Sequence, residues 1–412
     1  MNRQTHWRRA AVLCLAIFAL FAKLAVAYNT VGTNDAVFFF GSAQLIHQHG
    51  VAWLYQHSIY FNHPPLIGYF LGAIYVLSEQ SWCRDLGAHF AFLLRLPGII
   101  ADFVVVLLLL RMTKTDSGVR LPTWALALFA VSPVSLMVSG FHGNTDSVMV
   151  MFLVCAAFMC LRGRPMLCAL FFAMSCQVKI IALLLIPAVT FYWLARGKTL
   201  RFVVPFAAVS VVLWAEPLLK CSGWLFKNVF AYGSYWGIWG VTYCLRLTGL
   251  ACFARVSFFG LTPVQNAIVL TLKLAIVLAA IVIAWRRRHL GGSSFFNSLA
   301  YSWIVFFVFA PGVCAQYLVW LAPFVLICSP VFYTWLLAGS SVFLFAFYTV
   351  TSRGFPWMVS VSMDEVREQW APWSLLPWAV LIAGLFVLSR KTMTAIAAAR
   401  LLSFETLRPK NA

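Results

Sequence analysis

Eleven acidic residues stand against thirty lysines and arginines in this chain of 412. With so few carboxylates, each one beside an apolar run is a candidate for chemistry. Asp35 is the foremost. It follows the polar turn Asn29-Thr30-Val31-Gly32-Thr33-Asn34, directly after an apolar stretch. Thr33 or Asn34 is a good helix N-cap, and Val37, Phe38, Gly41, Leu45 and Ile46 line one face of the helix that would follow. Asp35 then lies in the first turn, where backbone N–H groups and the helix dipole favour the ionised form. An ionised carboxylate at a membrane surface can act as a general base. A helix-start acid without chemistry is the plainer alternative.

Three further segments carry reactive types. In Tyr60-Phe61-Asn62-His63-Pro64-Pro65-Leu66 the paired prolines pre-set an extended lead into a helix, holding Asn62 and His63 at its mouth. His63 can donate to a phosphate or a sugar hydroxyl; a rigid turn explains the segment equally. In Phe141-His142-Gly143-Asn144-Thr145-Asp146, helix capping accounts for Asn144, Thr145 and Asp146, but not for His142. Lys179 stands alone between two apolar runs and needs an anion, either a lipid phosphate or a carboxylate such as Asp146. Asp102 falls two turns into an apolar run and is expected to anchor packing. Arg246 and Arg353 lie near aromatic clusters, as phosphate ligands or ordinary surface arginines.

The elements that must hold these residues are set by composition. The chain is 63% hydrophobic, 10% charged and 16% aromatic. A soluble domain carries about 45–50% apolar and about 25% charged residues, so lipid must solvate most of this surface. The net charge of +19 does not point to nucleic acid, because the basic residues fall between apolar runs as the positive-inside rule requires. Eleven scattered cysteines form no C-x-x-C pair and read as small apolar residues. Phosphate-loop, dinucleotide, zinc-protease and nucleophile-elbow signatures are missing from the sequence.

Apolar runs place about twelve transmembrane helices, at 9–27, 94–111, 121–139, 147–161, 165–178, 181–194, 201–219, 264–285, 296–311, 315–330, 332–350 and 373–389. The first reads as a retained span, too long for a signal-peptide core. With both termini cytoplasmic, basic clusters such as Arg111-Lys114-Arg120, Arg196-Lys198-Arg201 and Arg286-Arg287-Arg288 all face inward, as does the basic tail 390–410. That alternation survives only if 64–78 is no span. Residues 28–93 are therefore one long outside loop carrying two interfacial helices. The expected fold is an all-α polytopic membrane protein. A catalytic module covers 1–330, and further spans with a basic cytoplasmic tail cover 331–412. No internal repeat is visible, which weighs against a transporter built from inverted halves.

The order of these segments resembles the GT-C membrane glycosyltransferases, chiefly the glucosyltransferases of lipid-linked oligosaccharides and their bacterial kin. The resemblance rests on Asn34-Asp35, Asn62-His63-Pro64-Pro65-Leu66, Arg95-Leu96-Pro97 with Ala101-Asp102, Gly143 to Asp146, and Val178-Lys179-Ile180 with Pro187. A late element, Ala310-Pro311-Gly312 with Gln316-Tyr317-Leu318 and Trp320, adds to it. It covers 1–330 loosely and is strongest in 28–200. It implies a hexosyltransferase that uses a polyprenyl- or dolichyl-phosphate sugar at the non-cytoplasmic face of a bacterial inner membrane or the ER membrane. Asp35 is then the general base of an inverting transfer. Asn62, His63, His142, Asp146, Lys179, Arg246 and Arg353 are candidates for holding substrate or phosphate. The implied partners are the lipid-linked donor, a glycan, lipid or protein acceptor, and membrane lipids. No cofactor is expected; Asn62 stands where some members carry a second acid, so a divalent metal stays an unsupported alternative. A multi-pass transporter or lipid flippase is the competing reading.

Overall fold

A computed structural model describes residues 3–113, 118–230, 235–254, 256, 260–361 and 366–389. The basic tail 390–410 lies outside the described residues. Among the described residues the architecture is helical, with one two-stranded contact. In lipid a backbone can satisfy its own polar groups only within helices or closed barrels, and this composition takes the first course.

Among the described residues, seven helices are long and apolar enough to cross a membrane: His6–Asn29, Phe90–Met112, Thr123–His142, Thr199–Phe230, Pro263–Arg286, Pro330–Thr351 and Arg367–Ser389. Shorter apolar helices occupy Asp146–Leu161, Pro165–Val178, Ile180–Leu194, Ser293–Phe309 and Ala315–Cys328. Proline opens several of them, at Pro165, Pro263 and Pro330, where its fixed φ suits the first turn and its missing N–H leaves nothing unpaired. Thr262 and Gln265 close a reciprocal capping box on the helix Pro263–Arg286. The helix Thr199–Phe230 kinks at Cys221, where φ is −155° and ψ 39°; Pro217, four residues earlier, removes one backbone donor from the ladder. Exposed Val212, Leu219, Leu270 and Leu278 give these outer helices the apolar face that lipid needs.

The segment between the first and second long helices holds four helices rather than the two expected: Asn34–His49, Val51–His57, Pro65–Ser78 and Ser81–Asp85. Gly50, with φ 86°, divides the first two. A side chain is strained in that conformation, so the break is written at the glycine. Two residues before Asp35, a short strand β1 (Gly32–Thr33) pairs in parallel with β2 (Val359–Ser360), with Gly32 opposite Val359 and Thr33 opposite Ser360. The Asp35 turn is thereby fastened to the loop after the helix Pro330–Thr351.

Candidate active site

The Asp35 turn is built by close backbone approach. Gly32 has φ 95°, and a Cβ there would stand 2.7 Å from the carbonyl oxygen of Phe141. Gly143 has φ 86°, and its Cβ would stand 3.2 Å from the Ala36 Cβ. These two glycines let the turn before Asp35 and the turn after His142 touch. Thr33 caps the helix Asn34–His49: its Oγ1 accepts from the Asp35 backbone N–H at 3.3 Å and donates to the His142 carbonyl at 2.8 Å. One hydroxyl therefore caps a helix and ties the two turns together.

Arg95 completes the junction. It is fully buried and meets no carboxylate among the described residues. Its Nη1 donates to Thr30 Oγ1 at 2.9 Å, Gly140 O at 3.1 Å and Phe141 O at 3.2 Å. Its Nη2 donates to Ala27 O at 2.9 Å and to Thr30 O. These carbonyls end the first helix and the π-helical turn Leu136–His142, and carbonyls at helix ends lack intrahelical partners. Burying a charge is tolerable only when its donors are satisfied, as these are. The fork geometry that does this is particular to arginine.

Three donors converge on one oxygen of Asp35. Asn144 Nδ2 donates to Oδ2 at 2.6 Å, His142 Nε2 at 3.1 Å and Gln316 Nε2 at 3.3 Å. A carboxylate only accepts, so Nε2 of His142 carries the proton in this contact. Among the described residues Oδ1 has no partner, and the side chain is 30% exposed. Burial pushes the Asp35 pKa up. The His142 bond and charge, the Lys179 ammonium and the Asn144 bond outweigh it and hold the group at about 2. The carboxylate is ionised at any ordinary pH, with one oxygen fixed and one open.

Beside it lies a second cluster. Lys179 sits at the extended junction between the helix Pro165–Val178 and the 3₁₀ turn Ile180–Leu185. Its Nζ contacts both oxygens of Asp146, at 2.9 and 3.0 Å, and Asp146 is fully buried. The Trp320 indole N–H donates to the same carboxylate. The ammonium stands 4.8 Å from the Tyr317 ring and 5.6 Å from that of Trp320. Of the two anions open to Lys179, the structure supplies Asp146. The third N–H of the ammonium has no acceptor among the described residues. His63 packs its ring against Phe39 at 5.1 Å and Phe61 at 5.9 Å. Burial lowers its pKa, Lys179 lowers it further and Asp35 opposes, leaving it at about 3 and the ring neutral. Asn62, half-buried, has no hydrogen-bond partner among the described residues.

Asp35, His63, His142, Asp146 and Lys179 are thus brought into one neighbourhood. His142 is buried and spends its Nε2 on Asp35. Arg246 is engaged elsewhere, in a two-pronged pair with Glu368 at 2.7 and 2.9 Å. Arg353 stands exposed in a left-handed turn with φ 58°. Asn144, Gln316, Tyr317 and Trp320 are site residues in the structure although none was singled out for chemistry; their signal was membership of the motifs quoted above. Asp102 accepts from Lys23 at 2.7 Å and from Ser135 and Ser139, the packing anchor expected of it. No cluster of three or more metal-ligating side chains occurs among the described residues.

The helical membrane fold and the motifs quoted above are similar to those of the GT-C membrane glycosyltransferases. Residues 44–196 match the MptA_B family, alpha-(1->6)-mannopyranosyltransferase, N-terminal domain, a GT-C type family of membrane mannosyltransferases. The match falls in the stretch where the motif resemblance is strongest, and the two agree on a glycosyltransferase with a sugar donor and an acceptor. No curated protein matches the chain.

Proposed function

We propose that the protein transfers a mannosyl unit from a polyprenyl- or dolichyl-phosphate sugar to an acceptor hydroxyl at the non-cytoplasmic membrane face. The observation that carries this reading is the Asp35 carboxylate, ionised, held through Oδ2 by three donors and open at Oδ1. Oδ1 takes the proton from the acceptor hydroxyl as its oxygen attacks the anomeric carbon. The bond from that carbon to the donor phosphate breaks, and its electron pair leaves with the phosphate. A single displacement inverts the centre, so an α-linked product of the kind the matched family's name describes requires a β-linked donor. The free N–H of Lys179 supports phosphate binding, because a fixed cation stabilises charge developing on a leaving group. Neutral His63 adds a donor for a sugar hydroxyl or phosphate oxygen. The lack of any nucleotide-cradling signature supports a lipid carrier as donor.

The test uses purified protein in liposomes with an alkyl α-mannoside acceptor. Radiolabelled polyprenyl-phosphate mannose, polyprenyl-phosphate glucose and GDP-mannose are offered separately. Label should pass from the β-linked lipid mannose into an α-linked product. Direct transfer from GDP-mannose, or a product that keeps the donor's anomeric configuration, would sink the reading.

A further inference from the structure

Behind Asp35 a second buried group completes a chain that the transfer step does not itself use. His142 Nδ1 lies 2.8 Å from the Tyr348 hydroxyl, and Tyr348 is fully buried. Its ring packs edge-on against Phe141 at 5.3 Å and tilted against Trp357 at 5.4 Å. Among the described residues His142 is the hydroxyl's sole hydrogen-bond partner. Oδ2 of Asp35 takes the N–H on Nε2, which leaves Nδ1 to the phenol. A tyrosine hydroxyl donates to a bare Nδ1 and accepts from a protonated one, so the contact holds in either state of the ring.

We propose that Tyr348 is a positioning residue: it fixes the orientation of the His142 ring, whose Nε2–H holds Asp35 Oδ2, and so leaves Oδ1 as the oxygen that takes the acceptor proton. Without the phenol, Nδ1 faces an apolar wall and loses its partner. The ring can then turn and carry its Nε2–H away from Asp35. Asp35 stays fastened by Asn144 and Gln316 but turns more freely, and its two oxygens exchange roles. The inference rests on Asp35 being the base.

The experiment is a double-mutant cycle on transfer from polyprenyl-phosphate mannose, per mole of liposome-embedded protein, with Asp35→Asn alongside. In the wild-type background Tyr348→Phe should lower kcat by at least ~10-fold, because the base is held less closely in place, with KM for the donor nearly unchanged. Glutamine places an amide N–H near the position of Nε2 and has no Nδ1 for the phenol to hold. In the His142→Gln background Tyr348→Phe should therefore change kcat by no more than ~2-fold. An equal fold loss in both backgrounds overturns the proposal, as does a Tyr348→Phe enzyme with wild-type kcat. If His142→Gln does not accumulate, the Tyr348→Phe split alone decides: a loss in KM with kcat intact contradicts the role. Activity in Asp35→Asn would instead sink the base assignment; its loss alongside an additive cycle would sink only the role of Tyr348.

Discussion

Two buried lysine–aspartate pairs hold this protein together, and they serve different ends. Lys23 and Asp102 meet at 2.7 Å, with side chains 5% and 17% exposed. Lys179 and Asp146 meet at 2.9 Å, 10% and 0% exposed. The chemistry is the same; the surroundings are not. Asp102 is capped by the serine hydroxyls of Ser135 and Ser139, and its pair joins the first long helix to the helix Phe90–Met112. Asp146 takes an indole N–H from Trp320, and the Lys179 charge reaches both Asp35 and His63. Lys23 is not among the groups that act on Asp35. Placement relative to one carboxylate makes one pair framework and the other part of the candidate site.

Stability alone does not separate them. Removing one partner of a buried pair costs about 3–5 kcal/mol, whereas replacing both with apolar side chains is often near neutral. Activity should separate them sharply. Lys179→Met with Asp146→Leu is expected to accumulate in membranes yet lose transfer by ~100-fold or more, for want of the cation at the leaving phosphate. Lys23→Met with Asp102→Leu should keep transfer within ~3-fold. Equal losses in the two double variants would erase the distinction.

Arg95 joins the end of the first helix to the turn that carries His142, so replacing it should damage both stability and transfer. Arg95→Lys keeps the charge but cannot fork to carbonyls on two segments. Several buried carbonyls are then unpaired, at about 1–3 kcal/mol each. Thermal melting of the purified protein should fall by several degrees, and transfer should fall with it. A wild-type melting temperature in that variant would show the clamp to be dispensable.

The smallest effect reads the reach of Lys179 through His63. The folded state keeps this ring neutral down to about pH 3, whereas unfolded histidine protonates near 6.5. Below 6.5 the unfolded chain binds the extra proton, so stability falls as pH drops from 6.5 toward 3. Removing the Lys179 charge raises the folded value and makes that fall shallower; removing Lys23 leaves it unchanged. Melting temperature against pH in the two double variants checks the sign.

Much of the framework was legible because lipid imposes simple rules. Among the described residues, seven of the twelve apolar runs expected as spans fall on helices long enough to cross a membrane and the other five on shorter apolar helices, and prolines at 165, 263 and 330 mark first turns. Asp35 was legible because a polar turn and a capping threonine stand straight after such a run. What escaped reading lies across long separations. Gln316 meets Asp35 over 281 residues, and Tyr348 meets His142 over 206. Tyr348 sits within an apolar run, where a phenol looks like any other aromatic filler. Lys23 passed as part of the first span, because nothing nearby in sequence announces Asp102 as its partner. Asn144 was explained by capping, which is local, whereas its amide donates to Asp35, which is not.

The most direct measurement is single-turnover transfer from polyprenyl-phosphate mannose by Asp35→Asn, at matched protein in the same liposomes. Asparagine keeps the shape and the neighbours but offers no basic oxygen. The expected result is a rate lower by about 10²–10⁴-fold with donor binding retained. A rate equal to wild type would show that the proton leaves the acceptor by another route and that Asp35 is only a helix-start acid.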